Sequence, residues 1–209
     1  MKKLILKIGI GLVCLALCVV LVFVIASKVK KAPEIDEVQD RFIYLIEESV
    51  QINEILFGAG LPVYKRDALI TDRRQIYFGS GQSVYDLTME QSEYYNVDGV
   101  KAAVEGIYSS RYLKALSETA FDGVLVGGGS YLRFYQEGSK FYQAQKADSF
   151  TYQRKVYDYS TMKIVKPSDD DYVKVELEVY DVGMSHKRRV ITVTFVKENG
   201  EWYLDSPTY

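Results

Sequence analysis

The longest uninterrupted apolar run lies near the start of the chain: from Ile8 to Ser27 no residue carries a charge. A helix of that stretch rises about 1.5 Å per residue and spans roughly 30 Å, the thickness of a bilayer's hydrocarbon core. It is expected to cross a membrane once. A cleaved signal peptide has a shorter apolar region, about 7–15 residues, ahead of a small-residue cleavage site. Val24 and Ala26 would suit such a site, but the run is longer and Lys28, Lys30 and Lys31 follow at once, a pattern that favours an uncleaved anchor.

Beyond the run the pattern becomes periodic. Pro33 with Glu34, Asp36 and Glu37 forms a helix start, with proline in the first turn and acids at the positive end of the helix dipole. Ile35, Val38, Phe42, Leu45, Ile46, Ser49 or Val50, Ile52 and Leu56 then recur at three- and four-residue steps until Gly58, Gly60 and Pro62, predicting a helix over 34–57. Residues 63–95 show no clean period; short strands or turns around Ile76–Phe78 and Val84–Leu87 are the expected elements. From Asp98, the positions Val100, Ala103, Val104, Ile107, Tyr108, Leu113 and Leu116 keep a 3.6-residue spacing to about Thr119, which predicts a second helix slightly weakened by Gly106. The stretch YLRFYQEGSKFYQAQ reads as a hairpin turning at Glu137–Ser139.

The C-terminal third carries the sharpest alternation. Val173, Val175, Leu177 and Val179 interleave with Lys174, Glu176 and Glu178, and Ile191, Val193 and Phe195 interleave with Thr192 and Thr194. Each series is a strand with one buried and one wet face. Glu198-Asn199-Gly200 makes a tight turn into a last strand over Glu201–Asp205. The fold class read from these elements is α+β: an N-terminal transmembrane helix, then two amphipathic helices packed on a curved antiparallel sheet. Residues 1–31 form a cytoplasmic tail and transmembrane anchor, and residues 32–209 an extracytoplasmic α+β domain held close to the membrane by the short Ser27–Ala32 linker. Lysines flank both ends of the run evenly, so orientation rests on the tendency of a short tail to stay inside while a long domain translocates largely regardless of its charge.

Charge changes the picture further. All six basic residues of 1–31 are unopposed, which leaves 20 basic against 28 acidic residues after position 31, a formal charge of about −8. An acidic surface of that size repels phosphate, so no nucleic-acid partner is expected. Both cysteines, Cys14 and Cys18, fall inside the apolar run; their i, i+4 spacing admits acylation, but Val13 and Leu17 ahead of them do not match a lipoprotein site, and apolar filler is the plainer reading. With no cysteine after position 18, the domain is held by packing rather than by disulfides.

Candidate chemistry is sparse. His186 is the only histidine, which excludes a His-pair metal site, and its place in GMSHKRR between two strands reads as an exposed turn. Ser160-Thr161-Met162-Lys163 spells S-x-x-K, but that acyl-transfer motif needs its serine at a helix start, and here it leads into the strand-like MKIV. Gly79-Ser80-Gly81 and Gly127–Gly129 lack the Lys-Ser/Thr of a phosphate loop and read as turns. Asp169, Asp170 and Asp171 lack the glycine and distal glutamate of a calcium loop and read as a solvated turn after Pro167. No catalytic, cofactor-binding or metal-binding residue is assigned and no cofactor is expected. The 18 tyrosines all lie after residue 43 and include Tyr94-Tyr95, Tyr131, Tyr135, Tyr142, Tyr152 and the Tyr157/Tyr159 pair. An apolar ring with a polar tip suits glycan stacking or a protein interface, and equally suits a half-buried strand.

The tail VKENGEWYLDSPTY resembles the last hairpin of cystatin-like, nuclear-transport-factor-two-like domains, in which helices precede and pack into a bent antiparallel sheet. ILFGAGLP (Ile55–Pro62), VDGVKAAVEGIYSSRYL (Val97–Leu113) and LRFYQEGSKFYQ (Leu132–Gln143) resemble envelope proteins of Gram-positive bacteria, similar in outline to the DL-endopeptidase inhibitor family of cell-wall hydrolase regulators. Residues 63–95 have no counterpart in that resemblance, and it carries over no functional residue. Two functions follow as expectations. One is a non-catalytic binding or assembly domain of the cell envelope, with an envelope protein or wall polymer as partner and regulation of cell-wall enzymes as its specific form. The other is a small-molecule or lipid-binding cone, or an enzyme, built on a helix–sheet cavity; the inward strand positions Val173, Val175, Leu177, Val179, Ile191, Val193 and Phe195 offer it no ionisable group.

Overall fold

A computed structural model describes residues 31–66, 69–70, 73–78, 81–89, 94–122, 124–126, 129–144 and 152–208. The apolar run Ile8–Ser27, with Cys14 and Cys18, lies outside the described residues, and among these no helix is long and apolar enough to cross a membrane.

The first helix, α1 (Ile35–Phe57), starts where the acids place it: the Glu34 amide donates to the Glu37 carboxylate at 3.2 Å. Its buried stripe runs Val38, Phe42, Leu45, Ile46, Ser49, Ile52, Asn53 and Leu56. After it come short β1 (Lys65–Arg66) and β2 (Leu69–Ile70), then the hairpin β3 (Arg73–Phe78) and β4 (Gly81–Leu87), longer than the alternation in that region suggests.

The second predicted helix is two. α2 (Val97–Ile107) stops, Tyr108 turns extended, and α3 (Ser110–Ser117) restarts before a π-helical turn at Glu118–Asp122. Tertiary bonding causes the break. The Ser109 amide donates to Leu204 O at 2.7 Å and Tyr108 bridges Leu204 in parallel, while the Ser109 hydroxyl caps α3 by accepting from Tyr112 N. The apolar period runs through the break because Ile107 and Leu116 bury into one core on either side of it.

β5 (Val124–Val126) and β6 (Gly129–Tyr131) pair alone, followed by β7 (Phe134–Glu137), β8 (Lys140–Ala144), β9 (Lys155–Val165), β10 (Tyr172–Asp181), β11 (Arg189–Glu198) and β12 (Glu201–Leu204). Instead of one curved sheet there are two principal ones, both antiparallel: β12-β11-β10-β9 and β3-β4-β8-β7. The 134–144 hairpin joins β4, not the C-terminal meander, because Tyr85, Asp86 and Leu87 register on Ala144, Gln143 and Tyr142.

α1 lies across the β9–β12 sheet. Phe42 stacks on Phe195 at 3.8 Å and meets Trp202 edge-on at 5.4 Å, so the space between helix and sheet is filled by rings. Val173, Val175, Leu177, Val179, Val193 and Phe195 are buried as the alternation predicts; Ile191 packs at the margin. The second sheet joins the same core through Phe134 and Phe141 and is tied to α1 by two buried polar side chains. The Arg133 guanidinium, 2% exposed, donates to Ile55 O, Gly58 O and Ala144 O, covering carbonyls that the helix end leaves unpaired. Gln143 grips Leu61 at both backbone groups, at 2.7 and 2.6 Å. Gly60 sits between them at φ +83°, where a Cβ would come within 2.2 Å of the Gln143 amide oxygen. The FGAGL segment is therefore a docking loop between α1 and the second sheet.

Candidate functional site

Between the middle of α1 and the start of β9 the surface opens into a groove of about 470 Å³. Glu47 and Gln51, one helical turn apart, form its α1 wall together with Val50. Lys155, Tyr157 and Tyr159 share one face of β9 and form the opposite wall, and Arg154, Val156 and Val182 complete the lining. The two tyrosine rings lie parallel, 6° apart in plane and 6.2 Å between centroids. Tyr157 is buried and donates to Thr208 O, whereas Tyr159 is half-buried and keeps part of its face open to the groove. Just outside the groove, the Tyr152 hydroxyl donates to Val50 O at 3.3 Å.

The groove's electrostatics follow from this partial burial. Burial first, then Glu47, pushes the Tyr159 hydroxyl up to about 12, and burial with Glu54 pushes Tyr152 to about 12. Tyr157 lies still higher, chiefly through burial. Lys155 is held below the usual lysine range by burial and by the Arg189 guanidinium, with Asp181 opposing. All three tyrosines are neutral hydrogen-bonding groups at physiological pH. The groove thus offers an aromatic wall, two cations, a carboxylate and an amide, a set fitted to holding a polar chain.

Behind the groove a buried polar network fixes the walls. Thr208 Oγ1 meets Ser49 Oγ at 2.7 Å, Asn53 Nδ2 at 2.8 Å and the Tyr108 hydroxyl at 3.3 Å. These partners link α1, the α2–α3 junction and, through Tyr157, β9.

A second groove, about 630 Å³, continues along β9 between Lys31–Ile35 and Met162–Lys166. Between the two grooves β9 bulges: Glu176 pairs with Lys163 but Glu178 with Asp158. Thr161 bridges the gap, its hydroxyl donating to Asp158 O at 2.7 Å and accepting from Glu178 N at 2.8 Å. Ser160, Thr161 and Met162 of the S-x-x-K segment fall in this bulge, and Lys163 resumes the pairing. Ser160 donates to Asp158 and Lys163 pairs with Glu176 at 3.1 Å.

Other singled-out residues lie apart. His186 is exposed in the β10–β11 turn. Asp169 accepts from the amides of Asp171 and Tyr172, closing the turn after Pro167. Gly81 and Gly129 open β4 and β6, while Gly79, Ser80, Gly127 and Gly128 lie outside the described residues. Among the described residues no group of three or more metal-ligating side chains converges. Two further carboxylates are buried: Asp86 in β4 bonds Arg73 at 2.9 Å, and Asp205 after β12 is held by Ser109 and Arg111. The Ser109 hydroxyl is engaged twice, as donor to Asp205 and acceptor from Tyr112 N, which makes it a structural junction.

Sequence reasoning singled out Tyr152, Tyr157 and Tyr159 but not Glu47, Gln51, Arg154 or Lys155. The i, i+4 pair on the polar side of α1 was the available signal for the helix wall. No protein-family model matches the chain, and no curated protein matches it by sequence.

Proposed function

We propose that this is a non-catalytic binding domain of the bacterial cell envelope, anchored by the Ile8–Ser27 segment, facing outward, and engaging an envelope protein or wall polymer through the tyrosine-walled groove between α1 and β9. Regulation of a cell-wall enzyme is the specific form of this reading, and the cystatin-like resemblance of the C-terminal hairpin belongs with it. The observation that carries it is the groove itself: Tyr159 offers a ring face beside Lys155, Arg154, Glu47 and Gln51, a mixed aromatic and polar wall typical of recognition surfaces. The ring-filled contact of Phe42 with Phe195 and Trp202 supports a surface site over a ligand held between helix and sheet.

The test is crosslinking in intact cells from a photoreactive residue at Gln51 of the full-length protein, with protease added outside the cells. Capture of an envelope protein or wall fragment, with the domain clipped from outside, is the expected result. A protease-protected domain crosslinked to cytoplasmic proteins would overturn both orientation and function.

A further inference from the structure

Resting on the reading that this domain binds a partner, we propose that the outer edge of β9 is the docking edge for an extended acidic segment of a partner protein, which adds to the sheet as a fifth strand and lays alternate side chains in the two flanking grooves.

The two ends of the β9–β12 sheet differ. At β12 the edge is closed, since Ser109 N–H donates to Leu204 O and Tyr108 bridges the same residue. At β9 no described strand pairs on the outer side. Arg154 O accepts from Val182 N on the inner side, so antiparallel alternation turns the backbone groups of Lys155 and Tyr157 outward. The bulge divides this edge into two straight runs, Lys155–Asp158 and Lys163–Val165, and each run borders one groove. Backbone groups supplying affinity and pockets taking alternate side chains are the two requirements of strand addition.

Charge specifies the segment. The domain is acidic overall, yet the two grooves are lined by five cations, Lys31, Arg154, Lys155, Lys163 and Lys166, against Glu34 and Glu47. Lys31 is engaged by Glu34 and Lys163 by Glu176, and among the described residues Arg154, Lys155 and Lys166 form no ion pair, which fits them to an incoming carboxylate. The same lysines oppose pairing of β9 with β9 of a second copy, because like charges would face each other. Outward backbone groups, with Met162, Ile164 and Val165 lining the second groove, favour a polypeptide over a wall polyanion.

The test uses full-length protein in detergent micelles to select from a displayed library of random twelve-residue peptides. Enriched peptides are expected to alternate Asp or Glu with apolar residues and to slow amide exchange at Lys155–Tyr157. Lys155→Glu combined with Lys166→Glu is expected to weaken binding about tenfold, while Lys114→Glu on α3 leaves it unchanged. Circular dichroism confirms that the reversed variant is folded. The proposal is overturned if no peptide is enriched, if the enriched set is not acidic, if the reversed variant binds undiminished, or if protection falls elsewhere. Soluble wall glycan fragments that bind the groove where peptides do not would overturn strand addition and leave the envelope-binding function standing. A domain protected from external protease would overturn that function instead.

Discussion

Arg133 shows what a single side chain can organise. Its planar fork covers carbonyls at the end of α1 and one on β8, so removing it strands several buried acceptors at once. Arg133→Met is expected to destabilise the domain by about 3 kcal/mol in chemical denaturation, with Arg133→Lys recovering only part of the loss. Ser109→Ala removes both the α3 cap and a donor to buried Asp205; a loss of about 1–2 kcal/mol in thermal unfolding is expected. Neither role was legible in the sequence. Arg133 sits in an aromatic hairpin and its partners are backbone oxygens, those of Ile55 and Gly58 more than seventy positions earlier and that of Ala144 in the hairpin itself, and carbonyls leave no mark in composition.

At the scale of elements, legibility followed how local each cause was. α1 was readable end to end because its start lies in its own acids and its stripe in its own period. The C-terminal strands were readable because one face is uniformly buried. The break at Tyr108–Ser109 was not, since Leu204 causes it from the far end of the chain, and the assignment of the 134–144 hairpin to a second sheet depends on β4 in the same way. The groove was half legible: its tyrosines stood out, but the facing helix wall is defined only by packing.

The contact of α1 with β9 also carries a pH dependence. Tyr152 and Tyr159 titrate near 12 in the folded state against about 10 unfolded, so the native state holds their protons more tightly. The stabilisation is fully present below pH 10 and is lost as pH rises toward 12. An alkaline unfolding transition is expected in that window, and Tyr159→Phe should move its midpoint upward in a circular-dichroism titration.

For the molecule as a whole, the buried core begins at Val38, with Ile35 packed against it, and draws on nothing described ahead of them. A chain beginning at Ala32 is therefore expected to stay in solution without detergent and to melt within a few degrees of the full-length protein. A much lower midpoint would show that the preceding segment contributes to the fold. The asymmetry of the β9–β12 sheet has a consequence for assembly. A sheet that can grow from one side only has a valence of one, so whatever joins it there ends the growth: the product is a discrete pair, and this sheet gives the domain no route to a filament.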